Sequence, residues 1–296
     1  MEKPMKTLLL TTLAAGALVL AGCQSDTSQA ASKPADEQAV AKTKTGKSDK
    51  TMEDIGNRGH VLMSWQNKNR PEKDKKLDEA RNPIKVLEFA NIWPGMTVLE
   101  LEAGTGYYTE LLDHLVGEDL GSNQHAGLVY MQNPPAFDSF LTPEKMDPRL
   151  GKDGKRLKHT KVLRAEFDNL TLPDASVDVV TWFLGPHEMF YTPEGTDGMG
   201  DVDKTYSEIY RVLKPGGTFI VIDHVAKAGA PESVGGDLHR IDPAKVQERA
   251  EKAGLKLAKT SKVLANPDDD HLKNVFDPSI RRKTDRFLHM YVKPEK

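Results

Sequence analysis

The sequence predicts an α/β domain built on a doubly wound, mostly parallel sheet of seven strands. Three observations lead to this prediction: short apolar runs alternate with amphipathic segments, a glycine-rich turn follows the first run, and two further strands end the chain. A strand, a glycine turn and a helix in succession begin a βαβ unit, in which the strands are parallel and helices cover both faces of the sheet.

The length and composition allow one such domain and exclude several function classes. The chain has 296 residues, 38% of them hydrophobic, which suffices for a single core. The formal net charge is -3 with both signs interspersed, so the chain lacks the positive field of a nucleic-acid-binding protein, and we expect no nucleic-acid partner. The single cysteine excludes an internal disulfide bond and a cysteine-rich metal site.

Residues 1–22 have the order of a bacterial signal peptide. Lys3 and Lys6 precede an apolar run at residues 8–20, which is shorter than the roughly 20 residues that a membrane-spanning helix needs. The run ends in small residues and Cys23, and this Leu-Ala-Gly-Cys sequence resembles the lipobox of bacterial lipoproteins. The resemblance implies that Cys23 is lipidated and becomes the new N-terminus, which anchors the protein to a membrane.

A polar segment follows, at residues 23–50, which we interpret as the lipidated cysteine and a flexible tether. Val40 is its one large aliphatic residue, so the segment cannot bury enough apolar surface to fold. Gln24 occupies the position at which inner-membrane lipoproteins of Gram-negative bacteria usually carry Asp, which favours the outer membrane in such a host. Residues 51–296 are predicted to form the folded domain.

The elements of the folded part are predicted in order from hydrophobic periodicity. Apolar positions spaced three and four apart predict helix across residues 73–90, interrupted at Asn82-Pro83. Short apolar runs predict strands at residues 97–102, 126–131, 161–165, 177–183, 218–222, 255–264 and 285–292. Amphipathic segments predict further helices at residues 107–116, 201–213 and 243–253.

Four segments in this order resemble the motifs of class I S-adenosylmethionine (SAM) dependent methyltransferases. The first motif is Val-Leu-Glu-Leu-Glu-Ala-Gly-Thr-Gly-Tyr, at residues 98–107. Glu100 takes the acidic position of the strand, and Gly104 and Gly106 take the later two glycine positions of the loop. Glycine lets the backbone approach the methionyl part of the cofactor, and the helix that follows favours the cofactor carboxylate at its N-terminus.

The other three motifs imply further cofactor contacts. Asn133, or alternatively Gln132, ends the second strand, where the family usually has a carboxylate for the ribose hydroxyls. The third motif, at residues 165–178, implies that Glu166 reads the adenine amino group and that Phe167 lies beside the ring. The fourth ends a helix with Lys-Pro-Gly-Gly before the fifth strand.

The resemblance implies a Rossmann-like methyltransferase fold with an antiparallel C-terminal strand, and SAM as the cofactor. Within the family, the chain is similar to a group of predicted bacterial methyltransferases. Tyr107 or Tyr108 is expected to close over the methionyl group. Glu102 stands where the first glycine of the loop is expected. Its carboxylate either hydrogen-bonds the cofactor amino group or crowds the turn and repels the cofactor carboxylate, and both alternatives remain open at this point.

Candidate catalytic residues follow the fourth and fifth strands, because ligands of open α/β sheets lie at the carboxyl ends of the strands. His187 and Glu188 come after the fourth strand, His224 ends the fifth beside Asp223, and His239 lies in the connection beyond. A histidine with a pKa near neutrality could deprotonate an acceptor hydroxyl or amine, although methyl transfer often needs only alignment. The alternative is that these are structural loop residues.

The sequence predicts no metal site. An acidic stretch at residues 268–271 has oxygen donors of the kind that hard cations prefer, but we interpret it as a solvated loop. Arg281, Arg282 and Arg286 are expected to pair with this loop, and the alternative is that they hold an anionic substrate.

These observations together predict a SAM-dependent methyltransferase that is lipid-anchored in the cell envelope and acts on a small molecule or an envelope component. The competing hypothesis is a noncatalytic domain that keeps the fold and binds another ligand or an envelope partner. Glu102 is the feature that favours this second hypothesis.

Overall fold

The fold is seen in a computed structural model that describes residues 52–118 and 126–295. The predicted signal peptide, Cys23 and the tether lie outside the described residues. In the described ranges, the structure has no helix that is both long and apolar enough to span a bilayer.

Seven strands form one sheet in the order β3-β2-β1-β4-β5-β7-β6. All neighbouring pairs are parallel except the two that β7 makes, with β5 and β6. The predicted mostly parallel sheet with an antiparallel C-terminal strand is therefore confirmed. The strands are β1 (Thr97–Leu101), β2 (Leu128–Asn133), β3 (Thr160–Arg164), β4 (Val177–Phe183), β5 (Leu213–His224), β6 (Lys256–Ser261) and β7 (Arg286–Val292).

Helices cover both faces of the sheet, and each face has its own apolar core. In β1, Val98 packs into one core together with Leu111, while Leu99 packs into the other together with Ile209. Successive strand residues point to opposite faces, which is why a buried strand of a doubly wound fold is apolar throughout. The helices are α1 (Met52–Trp65), α2 (Glu72–Lys75), α3 (Asp78–Arg81), α4 (Pro83–Ala90), α5 (Tyr107–Val116), α6 (Pro143–Leu150), α7 (Val202–Val212), α8 (Val234–Leu238) and α9 (Pro243–Lys252).

The helix predicted across residues 73–90 is interrupted at Asn82-Pro83 as predicted, and a second break, at residues 76–77, was not predicted. The structure divides this stretch into α2, α3 and α4, and Asn82, between the last two, has a left-handed φ of 44°. The residue before a proline is driven out of the right-handed helical region, and asparagine tolerates the left-handed one. The periodicity therefore indicated helical segments correctly, and Asn82-Pro83 separates α3 from α4.

The helix before the fifth strand ends three residues before Pro215. Val212 is the last residue of α7, and Leu213 is already extended, with a ψ of 136°. The fifth strand therefore begins at Leu213 and not at the predicted Thr218, and Gly216 accommodates a left-handed φ of 76° within it.

A buried group of charged side chains, here named the arginine cluster, ties α6 to α2 and α5. Arg149 donates to Asp74 at 2.6 Å and to Glu110 at 2.7 Å, and Arg156 donates to both carboxylate oxygens of Glu110 at 2.6 and 2.7 Å. Arg149 also donates from Nε to the backbone carbonyl of Thr105 at 2.9 Å. Because Thr105 belongs to the glycine loop after β1, the arginine cluster supports that loop from behind.

Candidate functional site

The glycine loop after β1 turns sharply, and the end of β2 holds it in place. Glu102, Gly104 and Gly106 all have a left-handed φ, of 52°, 56° and 81°. Gln132 accepts from the Glu102 backbone N–H at 2.9 Å. The amide of Asn133 accepts from the Gly104 N–H at 2.8 Å and donates to the Gly104 carbonyl at 3.2 Å. Asn133 therefore fixes the loop through hydrogen bonds of both its side-chain oxygen and its side-chain nitrogen.

The two glycines of the loop are needed for different reasons. A Cβ on Gly104 would meet nothing within 4 Å, and Gly104 lines the cavity described next. A Cβ on Gly106 would lie 3.0 Å from Met131 and 3.1 Å from Arg149. Gly104 thus keeps a ligand-facing surface free of side chain, whereas Gly106 allows close packing against β2 and α6.

A cavity of about 750 Å³ opens beyond the carboxyl ends of β1 and β4. This is where open α/β sheets bind ligands, and the volume lies in the range of small-molecule and cofactor sites. The glycine loop and Glu100 line one side of it, and Glu188 lines another. Aromatic side chains make up much of the remaining wall: Tyr107, Tyr108, Phe137, Phe140, Phe183, Tyr191 and Phe276.

Two carboxyl groups, those of the buried Glu100 and the half-buried Glu102, border the loop side of the cavity. Glu100 accepts from the Thr109 hydroxyl at 2.5 Å, and burial raises the pKa of Glu100 to about 7. Glu102 accepts from the Trp182 indole N–H at 2.9 Å. Burial, followed by the neighbouring Glu188 carboxylate, raises the pKa of Glu102 well above its ordinary value. The raised pKa favours the protonated carboxyl group and so weakens the charge repulsion that the sequence suggested for this position.

Next to Glu188, which lines the cavity wall, His187 lies buried in a short 3₁₀ helix at Pro186–Phe190 after β4. Asp223 at the end of β5 accepts from the His187 backbone N–H at 2.8 Å and from its ring Nδ1 at 2.7 Å. Burial alone would lower the pKa of His187, but the Asp223 and Glu188 carboxylates outweigh it and raise the pKa to about 10. Burial would likewise raise the pKa of Glu188, but His187 and His239 lower it to about 2.

Three donor atoms of this wall converge, and we name them the histidine triangle: His187 Nε2, Glu188 Oε1 and His239 Nδ1. The His187 and Glu188 atoms lie 3.2 Å apart, and the His239 atom is 3.3 Å from each of the other two. His224 lies outside the triangle, with its ring centroid 6.0 Å from that of His187 and its Nδ1 2.7 Å from the Thr284 hydroxyl. Of the predicted catalytic residues His187, Glu188 and His224, Glu188 lines the cavity.

Residues 99–221 match the family model described as a methyltransferase domain. The chain therefore carries a stretch, here named the methyltransferase domain, that is similar to this family over less than half of the chain. It is 28% identical over 137 residues to the ubiquinone/menaquinone biosynthesis C-methyltransferase UbiE of Shewanella piezotolerans, and 29% identical over 137 residues to that of Shewanella frigidimarina. Each match covers 46% of this chain and 46% of the relative, so the chain spans about half the length of these relatives.

The fold of the methyltransferase domain is shared with a solved structure of a SAM-dependent methyltransferase from Aquifex aeolicus. The two are 23% identical, with a TM-score of 0.50 over 76% of this chain and 98% of the other. The domain match and this fold indicate SAM as the cofactor, as predicted. The side-chain-free surface at Gly104, the left-handed loop and a cavity of about 750 Å³ fit a ligand of that size.

Several predicted cofactor contacts of the methyltransferase domain lie elsewhere. Asn133 is engaged by the glycine loop and does not line the cavity. Glu166 is exposed outside it, and Phe167 is fully buried in the core, 5.2 Å from Trp182 between ring centroids. The short helix after β2 supplies Phe137 to the wall instead. The adenine contacts predicted for Glu166 and Phe167 therefore do not match their positions.

Tyr107 and Arg81 form a second feature of the loop side. Tyr107 lines the cavity as predicted, but its hydroxyl donates away to Asp78 at 2.6 Å. The Arg81 guanidinium lies 4.3 Å from the Tyr107 ring centroid and also lines the cavity. The sequence carried no signal for Arg81, since α3 precedes every recognised motif.

The acidic loop at residues 268–271 is not a wholly solvated segment. Asp269 is buried and accepts from two nitrogens of the Arg240 guanidinium, at 2.9 and 3.0 Å. His271 pairs with Asp285 at 3.0 Å. The expected pairing of this loop with Arg281, Arg282 and Arg286 is therefore wrong for Asp269, because Arg240 pairs with it instead.

Proposed function

We propose that the chain transfers a methyl group from SAM to a small molecule or an envelope component, and that lipid on Cys23 holds it at the cell envelope. The observation that carries the proposal is one cavity with two unlike walls. A glycine loop with an open surface at Gly104 forms one wall, and Glu188 with the histidine triangle forms part of the other. Cofactor and acceptor would meet between them.

The loop side would hold the cofactor. SAM supplies a methyl group on an activated sulfonium, so the protein mainly has to align the two reactants. Gly104 and Thr105 would face the methionyl part with backbone groups, Arg81 offers a cation to its carboxylate, and Glu100 offers a hydrogen-bonding carboxyl group. The raised pKa of Glu102 beside them favours its neutral form, which weakens repulsion of a bound carboxylate.

The acceptor side favours an apolar or aromatic compound. Three aromatic side chains on the cavity wall are exposed: Phe140 by 54%, Tyr191 by 37% and Phe276 by 55%. An exposed apolar rim of this kind is typical of a binding site. The UbiE relatives are named for ubiquinone and menaquinone biosynthesis, which supports an acceptor of similar character. A lipid anchor at Cys23 would keep the domain close to such compounds in the envelope.

A second candidate is a noncatalytic domain of the same fold, which binds another ligand or an envelope partner. It is favoured by the positions of Asn133 and Glu166, neither of which lines the cavity. Both candidates predict an occupied cavity and differ in the ligand.

Calorimetric titration of the full chain with SAM and S-adenosylhomocysteine separates the two. We expect both to bind, and we expect S-adenosylhomocysteine to form when SAM is incubated with a membrane lipid extract. Absence of binding of either compound at millimolar concentration would contradict the methyltransferase proposal.

Gly104→Leu tests the placement of the cofactor, with Gly154→Leu as its matched control. Both glycines have a left-handed φ, of 56° and 69°, and open space where a Cβ would stand, so the backbone cost of about 1–2 kcal/mol is shared. Gly104 alone of the two lines the cavity. We expect Gly104→Leu to abolish SAM binding and Gly154→Leu to leave it unchanged. Equal affinities of the two variants would refute the placement.

A further inference from the structure

The histidine triangle has the dimensions of a metal site. Its three edges are 3.2, 3.3 and 3.3 Å. Zinc–ligand bonds are about 2.0–2.1 Å and tetrahedral in geometry, which places any two ligand atoms about 3.3 Å apart. An ion at about 2.0 Å from each of the three atoms therefore fits this face of a tetrahedron without movement of the side chains.

The surroundings fix the orientation of the donors. Asp223 accepts from His187 Nδ1 at 2.7 Å, which leaves Nε2 as the atom directed at the other two. A carboxylate on the far nitrogen of a histidine is the usual partner of a metal-bound imidazole. The His239 ring packs against Phe276 and Tyr191, with centroid separations of 4.9 and 5.6 Å. The triangle is thus supported on both of its histidines.

We propose that His187, Glu188 and His239 bind one divalent transition-metal ion of the zinc class. Two imidazole nitrogens and one carboxylate oxygen are donors that suit such ions, and three protein ligands leave a fourth position of a tetrahedron open. Glu188 lines the cavity, so the ion would lie at the cavity wall. The sequence predicted no metal site, because His239 is separated from His187 by 52 positions.

A metal ion at this wall would determine which chemical group a compound bound in the cavity must carry. The open position would take an oxygen or sulfur atom of a bound compound, and the ion would lower the pKa of that group. If the proposed function holds, that compound is the methyl acceptor, and it carries a hydroxyl or thiol group. The metal binding itself does not depend on methyl transfer.

The test is metal binding to the full chain after dialysis against a chelator. We expect one equivalent of Zn²⁺ to bind per chain in titration calorimetry, and Co²⁺ in its place to give the intense visible bands of a four-coordinate ion. Weak binding with a six-coordinate Co²⁺ spectrum, or no binding, would overturn the proposal. SAM affinity, measured on the same samples, separates a failure of the metal site from a failure of the proposed function.

The Zn²⁺ affinity of single-residue variants tests whether the ion binds at the histidine triangle. We expect His239→Ala to weaken Zn²⁺ binding by more than ~100-fold and Asp223→Asn to weaken it by about 10–100-fold, since the latter removes the partner of a ligand and not a ligand. Glu188→Gln serves as a second test of the triangle if His239→Ala does not fold. His60→Ala is the matched control, because His60 and Glu118 form a pair 2.6 Å apart outside the cavity lining. An affinity unchanged in His239→Ala or Glu188→Gln would overturn the assignment.

Discussion

The arginine cluster and the histidine triangle are both groups of polar side chains in the same domain, but they differ in how the charges of their members are compensated. In the arginine cluster, Arg149 and Arg156 face the carboxylates of Asp74 and Glu110. Each guanidinium there meets at least one carboxylate, and further nitrogens donate to backbone carbonyls. In the histidine triangle, three atoms that can each act as an acceptor face one another, and one of them borders the cavity.

This difference indicates that the charges of the arginine cluster stabilise the fold, whereas the polar atoms of the histidine triangle are available to bind a ligand. A buried ion pair is satisfied by its own partners, and removing one partner leaves an uncompensated charge. Donor atoms that converge without a cation between them are satisfied only when a proton or an ion joins them. The first arrangement holds the glycine loop through Thr105, whereas the second presents a binding surface to the cavity.

Arg149→Met gives the largest expected effect. We expect it to lower the free energy of unfolding by about 3–5 kcal/mol, because it leaves the buried carboxylate of Asp74 without a guanidinium and removes one of the two that Glu110 has. Denaturant unfolding followed by circular dichroism at pH 7 measures this. The control is Arg164→Met, which breaks an exposed pair with Asp138 and should cost less than about 1 kcal/mol. Equal losses in the two variants would show that the arginine cluster does not stabilise the fold.

Glu100→Gln tests a buried carboxyl group that lacks a bonded cation. Its pKa is raised from 4.5 to about 7, so the native chain holds a proton that the unfolded chain loses over this range. Glu100 should therefore lower the free energy of unfolding by about 3 kcal/mol as the pH rises from 4.5 to 7, and Glu100→Gln should reduce the total fall, to which Glu102 also contributes, by that amount. The measurement is the free energy of unfolding of the wild-type chain and of Glu100→Gln at several pH values between 4.5 and 7.

Glu110→Gln is the control for this pH dependence. Burial would raise the pKa of Glu110, but His114, Arg156 and Arg149 lower it to about 2. Its contribution to stability is therefore present above pH 4.5 and is lost as the pH falls towards 2. Glu110→Gln should lower stability at pH 7 and leave the slope between pH 4.5 and 7 intact. If Glu110→Gln reduced the pH dependence between pH 4.5 and 7 by the same amount as Glu100→Gln, that part of it would not arise from Glu100.

Glu188→Gln gives the smallest expected effect on stability. We expect a loss of about 1–3 kcal/mol at pH 7 in the metal-free chain, because the variant loses the attraction of the Glu188 carboxylate to His187 and His239, while its amide oxygen can still accept a hydrogen bond. The measurement is the same denaturant unfolding, after dialysis against a chelator. A loss of stability as large as that of Arg149→Met would show that the histidine triangle stabilises the fold as much as the arginine cluster does.

Much of the fold could be predicted because its signals are local. The strand, glycine turn and helix at β1 and α5 follow from apolar periodicity and from backbone angles that favour glycine. By contrast, α6 was missed, since it contains Pro148 and few apolar residues, and its position depends on the burial of Arg149. Asn133 was predicted to face the ribose, but its amide pairs with Gly104, 29 positions away.

The sequence by itself determined the order of strands and helices and the location of the glycine loop, because periodicity and left-handed φ values are properties of neighbouring residues. Only the tertiary structure decided which polar side chains share a site. His187 and His239 lie 52 positions apart, and the ends of β4 and β5 together with α8 bring them to 3.3 Å. A metal or a hydrogen bond depends on differences of tenths of an ångström, and such distances arise only from packing of the whole domain.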